Sequence, residues 1–321
     1  SGAPAGIEPD YINIFWRTLV NLDSDNRVIL GHTKVDLLHK SVIEQCDELD
    51  GLNDGVLSDP WACKLNLKLM QCKDNISDNC FSEIEIKVIK ELYKGAFLSN
   101  QNRVSWGLPH GGELGLKRYI LNEPGKIGKF EPLALDRLRY TWFDYDPGPG
   151  YDVFNFDLDR DVPRLFTKGF LQAPNNPDLT RYHNNNGKII IYQGLNDLLN
   201  TEPLIKYVKK VKRIISNKND IENFIRLYLI PGMNHCRGGP GVDKFNWIDV
   251  IRDWVEVDNL PNTIVGYKFA NGNSSLDFNN INLDKVFISK RPIYDYPYTA
   301  HYKGKGEINN IDSFMPKPLS F

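Results

Sequence analysis

No apolar run in these 321 residues approaches the roughly 20 needed to cross a bilayer as a helix; a representative one, Ile189-Ile190-Ile191-Tyr192, has only strand length. Excess charge of either sign is also lacking. The 39 Lys and Arg against 41 Asp and Glu leave a formal net charge of −2. Nucleic acid and polyanionic membrane surfaces need a concentrated positive field, so neither is an expected partner. Cys-x2-4-Cys pairs are absent, and so is any His-x-x-x-His grouping among the 6 histidines. The commonest marks of a zinc site are therefore missing, and a metalloenzyme is disfavoured. Ser1-Gly2-Ala3-Pro4-Ala5-Gly6 has neither a basic start nor an apolar stretch, so no signal peptide is expected there. The lack of an initiator methionine fits a processed, trimmed or dissected product.

What is abundant is aromatic surface: 15 Tyr, 16 Phe and 6 Trp, or 12% of the chain. Such side chains fill cores, and they also line pockets for flat apolar ligands. The length suits two domains or one large one, either ample for a buried core.

Four of the 5 cysteines, Cys46, Cys63, Cys72 and Cys80, crowd together, and Cys236 stands alone beside His235. Local disulfides Cys46–Cys63 and Cys72–Cys80 account for the cluster better than zinc. Each would stabilise the fold by about 3 kcal/mol through lost freedom of the unfolded chain. That implies an oxidising, secreted history. Possible glycosylation sites at Asn75-Ile76-Ser77 and Asn273-Ser274-Ser275 agree. Cys236 is left to pair outside this chain or to stay a free thiol.

The first third reads as helices and loops. Val35, Leu38 and Val42 recur at helical spacing with Thr33 as N-cap, and Ile84, Val88 and Leu92 form a second stripe. Residues 99–180 are rich in Gly, Pro, Asn and aromatics and are expected to hold no long periodic element. From Lys188 the pattern becomes α/β. Ile189 to Tyr192 is a buried strand; Thr201-Glu202-Pro203 opens a helix carrying Leu204, Val208, Val211 and Ile215. A second strand covers 224–230, and a further helix carries Ile248, Ile251 and Val255. Strand, helix, strand, helix implies parallel strands joined by crossovers.

In open parallel sheets, reactive groups collect past the carboxyl ends of strands. Asp197 comes five residues after Tyr192, and His235 five after Ile230. An acid and an imidazole at matched offsets can form the orienting acid and general base of a hydrolase triad. An Asx-turn aspartate and an ordinary loop histidine are the structural alternatives. The triad order Ser, acid, His puts the nucleophile upstream, yet no Gly-x-Ser-x-Gly occurs in the chain. A second candidate is the acidic loop of Asp47, Asp50 and Asp54, which with the carbonyls of Leu52 and Val56 could surround a calcium ion. A solvated acidic turn is the alternative there.

Taken together, these residues resemble the tannase and feruloyl esterase family of secreted α/β-hydrolases over nearly the whole chain. The motifs are Gly2-Ala3-Pro4-Ala5, Cys46-Asp47 through Asp54-Gly55-Val56 to Ser58-Asp59-Pro60, and Gly107-Leu108-Pro109 with Gly112-Glu113. Next come Ile191-Tyr192-Gln193-Gly194 with Asp197, and Pro231-Gly232-Met233-Asn234-His235-Cys236 with Gly238-Gly239-Pro240-Gly241. Arg291-Pro292 through Tyr296-Pro297 and Tyr302-Lys303-Gly304 close the series.

The resemblance implies the C-terminal part of an α/β-hydrolase core, at 1–39 and 181–321, with an irregular disulfide-containing lid inserted at 40–180. It implies Asp197 as triad acid, His235 as base, and a Cys236 bonded to the cysteine before an upstream serine. It also implies a structural calcium held by Asp47, Asp50, Leu52, Asp54 and Val56. The expected function is carboxylic ester hydrolysis on galloyl- or feruloyl-type aromatic esters. The expected partner is the N-terminal portion of the same precursor carrying the serine, without which this chain is inactive. A non-catalytic fragment that binds aromatic ligands is the alternative. Gln193 departs from the family, which commonly has histidine there.

Overall fold

The computed structural model describes residues 2, 4, 11–73, 77–118, 120, 131–172, 175–215, 221–270 and 287–321. The glycosylation candidates Asn75 and Asn273 lie outside these residues, as do Ala3 and Ala5 of the first motif. The helices are α1 (Tyr11–Val20), α2 (His32–Cys46), α3 (Glu83–Lys94), α4 (Glu131–Arg137), α5 (Leu158–Gln172), α6 (Thr180–Asn184), α7 (Glu202–Ile215) and α8 (Trp247–Glu256). The strands are β1 (Ile189–Gly194), β2 (Ile225–Ile230), β3 (Thr263–Phe269), β4 (Phe287–Tyr294), β5 (Tyr298–Tyr302) and β6 (Phe314–Pro318).

Helices form where an apolar stripe meets an end signal. A capping box starts α3: the Glu85 amide donates to Ser82 Oγ at 3.4 Å, and the Ser82 amide donates to the Glu85 carboxylate at 2.7 Å. Ile86, Val88, Ile89 and Leu92 turn inward against Val35, Leu38 and Val42 of α2. Ile84, expected in that stripe, is exposed because Ile86, Ile89 and Leu92 run along the buried face instead. The N-cap of α2 is Gly31 in an extended conformation; Thr33 lies within the first turn. Disulfides Cys46–Cys63 and Cys72–Cys80 close the loops around this helix pair. Bonds of this kind belong to an oxidising, extracellular setting.

One long element interrupts the stretch expected to have none. The 15-residue α5 is obscured in sequence by Pro163 within it and by a buried carboxylate on its inner face. Asp161 is fully buried and satisfied by Tyr151 Oη at 3.0 Å, Arg160 and Arg164. Beside it, Ile12 and Phe15 of α1 pack with Leu138, Trp142, Val162 and Leu165.

The α/β half follows the period-two rule. β1 and β2 pair in parallel, from Ile189 opposite Ile225 to Gly194 opposite Ile230. Ile191, Leu227 and Leu229 meet Leu204, Val208 and Val211 of α7 on one face. Ile190, Tyr228 and Ile230 meet Trp254 of α8, Met233 and Ile264 on the other. Burial on both faces explains the predominantly apolar runs of these strands, in which Arg226 is the buried exception on β2, paired with Asp295 at 2.8 Å. On α8, Ile248 and Val255 point outward at 75% and 59% exposure, and Trp247 and Trp254 supply the inward face instead. β3 with β4, and β5 with β6, form antiparallel pairs. The architecture is mixed α/β, of the α/β-hydrolase type with an added disulfide-bearing helical region.

Candidate active site

Because β1 and β2 end in register, the loops beyond them leave the sheet side by side. The Leu195 amide donates to Ile230 O at 2.9 Å and the Asn196 amide to Met233 O at 3.1 Å. These bonds draw the loop after β1 onto the turn after β2. Gly194 makes the approach possible: a Cβ there would lie 1.9 Å from Met233 O and 2.5 Å from Asn234 O. The turn itself uses Gly232 at φ +67°, a left-handed conformation that glycine adopts freely.

This convergence brings Asp197 and His235 together. His235 Nδ1 donates to Asp197 Oδ2 at 2.9 Å. The aspartate is buried at 2% exposure, while the imidazole is 48% exposed. Asp197 Oδ1 accepts the Leu199 amide at 3.0 Å, and Oδ2 also accepts Gln193 Nε2 at 3.2 Å. Three N–H donors on one buried carboxylate fix its orientation. With Nδ1 carrying the proton that faces the carboxylate, Nε2 is the basic nitrogen of the ring. The pair can therefore take a proton at Nε2 and hold the resulting imidazolium against a fixed anion.

The helical half grips the acid loop from the far side. Buried Arg17 of α1 donates from Nη1 to Leu198 O at 2.8 Å and from Nη2 to Asn200 Oδ1 at 3.1 Å. Asn200 Nδ2 donates to Gly107 O at 2.7 Å, and Asn196 Nδ2 to Gly111 O at 2.6 Å. Gly111 is held in turn by Glu113, which is fully buried. Glu113 accepts His39 Nδ1 at 2.8 Å, Tyr93 Oη at 2.9 Å and the Gly111 amide at 2.9 Å. His110 stacks on Tyr93 with centroids 4.5 Å apart, and burial pushes its pKa down. His39 and His110 thus serve the framework under the acid loop.

Cys236 forms no disulfide within the chain, and burial pushes its thiol up from the ordinary range. Its φ of +61° is unusual for a residue with a side chain.

The calcium expectation is corrected here. Among the described residues no group of three or more His, Cys, Asp or Glu side chains is placed to hold a metal ion. The acidic loop turns its oxygens on the protein itself. Asp47 accepts the Gly55 amide at 2.9 Å, and Asp50 accepts the amides of Leu52 and Ser58 at 3.0 and 3.1 Å. Asp54 accepts the Val56 amide at 3.2 Å and pairs with Arg291 Nη2 at 2.7 Å. Burial pushes the Asp50 carboxyl up to about 6. The carboxylates stabilise a turn and an ion pair to β4, with no convergent oxygen shell.

Arg17 and Asn200 did not announce themselves as parts of this site. Arg17 is 181 residues from its acceptor Leu198, with no local signal in sequence. Glu113 had one, the Gly112-Glu113 motif, but without an indication of what it binds.

Comparison with known proteins finds similarity to one family over most of the chain. The family model described as tannase and feruloyl esterase matches residues 10–122 and 148–316. A mono(2-hydroxyethyl) terephthalate hydrolase of Piscinibacter sakaiensis is 28% identical, aligned over 92% of this chain and 54% of its own length. A probable feruloyl esterase B-2 of Aspergillus flavus is 29% identical over 75% of this chain and 48% of its own. The chain spans about half the length of these curated relatives. Among solved structures, an esterase from Aspergillus oryzae superposes with a TM-score of 0.79 at 23% identity, over 97% of this chain and 62% of that one. A tannin acyl hydrolase from Aspergillus niger gives 0.66 at 18% identity, over 98% and 58%. At these identities the superpositions establish the fold.

Proposed function

The chain belongs to the tannase and feruloyl esterase family, and from that membership we propose that it supplies the acid and base of a serine-type carboxylic ester hydrolase acting on aromatic esters. The observation that carries this reading is the 2.9 Å bond from His235 Nδ1 to the buried Asp197 at the ends of two adjacent parallel strands. The serine is supplied from outside this chain. Its hydroxyl attacks the ester carbonyl while His235 Nε2 takes the proton, and Asp197 stabilises the imidazolium. The proton then passes to the departing alkoxide, leaving an acyl-enzyme. Water, deprotonated by His235, attacks the acyl carbon and releases the aromatic acid and the serine hydroxyl.

In this reading residues 181–321 carry the core portion, and the lid expected at 40–180 extends back over α1 and α2. The reason is that α2 runs unbroken through residues 39 and 40, and α1 packs on Leu138, Trp142, Val162 and Leu165. This region covers the acyl group. The grip of Gly107 and Gly111 on Asn200 and Asn196 supports a lid docked on the acid loop. Cys236, one residue from the base and unpaired within the chain, is proposed to bond a cysteine next to that serine, tying nucleophile and base together. Non-reducing mass spectrometry of the native protein tests the arrangement. A serine-bearing segment linked through Cys236 is expected. A gene whose preceding codons specify no serine elbow would overturn the esterase reading in favour of a non-catalytic aromatic-ligand binder.

A further inference from the structure

Gln193 is the last side chain of β1, buried, and its amide nitrogen touches two groups that only accept: Asp197 Oδ2 at 3.2 Å and the backbone oxygen of Asn200 at 3.1 Å. A carboxylate and a carbonyl cannot donate, so the chemistry of the acceptors fixes the amide with its NH2 toward them. We propose that Gln193 is a positioning residue of the acid–base pair: it donates to the same carboxylate oxygen as His235 and also to the Asn200 carbonyl. In this way it locks the Asp197 carboxylate and limits how strongly that oxygen holds the imidazole proton.

One consequence is geometric. The Gln193 amide bridges the start and end of the acid loop, from the strand to Asn200, which Arg17 grips at 3.1 Å. Rotation of the Asp197 carboxylate away from His235 therefore breaks a bond to β1 as well as the bond to the ring. The other is electrostatic. An N–H donated to Oδ2 withdraws charge from the oxygen that His235 uses. Removing it leaves more charge on Oδ2, binds the imidazolium more tightly and makes His235 harder to deprotonate. Charged and titratable groups near the base turn include Asp197 from the β1 loop, Arg237 beside the Cys236 thiol, the Tyr192 phenol of β1 that also interacts with that thiol, and Lys268 of β3, which donates to Gly239 O at 2.7 Å. Asp243, nearby in the same segment, is held by the Gly238 amide at 2.7 Å and by Lys268 and Lys244.

The inference rests on Asp197 and His235 being the acid–base pair, and its test needs no turnover. In the isotope-labelled full-length gene product, NMR tracks the His235 C2–H and the Gln193 side-chain NH2 signals from pH 5 to 9. The Gln193 signals are expected to move with the His235 midpoint, because both donors share one oxygen. In Gln193→Met, which keeps length but has no donor, the His235 midpoint is expected to rise by roughly 0.5 unit, about threefold in proton affinity. Gln193 signals that stay flat through the His235 titration overturn the inference. So does an unchanged midpoint in a Gln193→Met protein with wild-type circular dichroism. If that variant fails to fold, the wild-type titration alone decides. An inactive esterase with coupled titrations removes the function and leaves the coupling; an active esterase with uncoupled titrations does the reverse.

Discussion

Gly194→Ala probes the convergence that makes the site. The added Cβ would sit 1.9 Å from Met233 O, where a carbon–oxygen contact needs about 3.3 Å. The ends of β1 and the His235 turn must then part by roughly 1.4 Å. Neither group is the far end of a flexible side chain; both are backbone, boxed by buried Ile230 and Met233. Parting them breaks the bond from the Asn196 amide to Met233 O and strains the one from Leu195 to Ile230 O. Each buried amide left unpaired costs about 1–3 kcal/mol, so a total of about 3–5 kcal/mol is expected, in the range of severe single substitutions. At roughly 2–3 °C per kcal/mol for a large chain, the melting temperature falls by roughly 6–15 °C. The His235–Asp197 bond also lengthens beyond hydrogen-bond distance, so the low-field Nδ1–H signal disappears. Thermal melts by circular dichroism and proton NMR read the two effects separately. A melt within about 1 °C of wild type, with the Nδ1–H signal retained, would refute the close-approach reasoning.

Buried polar groups and cross-links yield three further predictions. Tyr93→Phe removes one of the three donors on fully buried Glu113 and should cost about 1.5–3 kcal/mol in urea unfolding; a change below experimental error would mean the hydroxyl adds nothing there. Burial pushes the Glu202 carboxyl above the ordinary range, with its Trp61 Nε1 bond at 3.2 Å acting the other way. The native state then holds a proton that the unfolded chain has released, so stability falls as pH rises from about 4.3 through the raised native value. Glu202→Gln should flatten that slope and melt higher than wild type at pH 8, whereas parallel pH–stability curves would contradict the assignment. Replacing the Cys46–Cys63 pair, which closes 17 residues, should cost about 3 kcal/mol, and replacing Cys72–Cys80, which closes 8, about 2.5 kcal/mol. Denaturation midpoints in the reverse order would argue against loop closure as the source.

The range of each interaction decides whether it is legible in the sequence. β1 and β2 are readable because both faces of the sheet are buried, so apolar residues run through them, and the exceptions, Gln193 and Arg226, are held by Asp197 and Asp295. Asp197 and His235 are readable because the end of a strand fixes where the next loop residues can stand. Helical periodicity fails on α5, where the inward Asp161 is paired with Arg160 and Arg164 and accepts a hydrogen bond from Tyr151, two of the three lying outside its stripe. It fails again on the acidic loop. Asp54 finds its cation in Arg291, 237 residues away, and no window around Asp54 contains that fact. On α8, aliphatic residues suggest a stripe that Trp254 fills instead. Arg17, at the back of the acid loop, shows the same limit: a buried cation is stabilised there by carbonyls supplied by a distant segment.

The decisive measurement is steady-state hydrolysis of a feruloyl or galloyl ester by the full-length gene product, wild type against His235→Ala. Turnover by the wild type and a loss of at least about 10³-fold in kcat for the variant, at an unchanged melting temperature, are expected. Retained turnover in His235→Ala would contradict the assignment of the base, and a wild type without turnover would contradict the esterase reading itself.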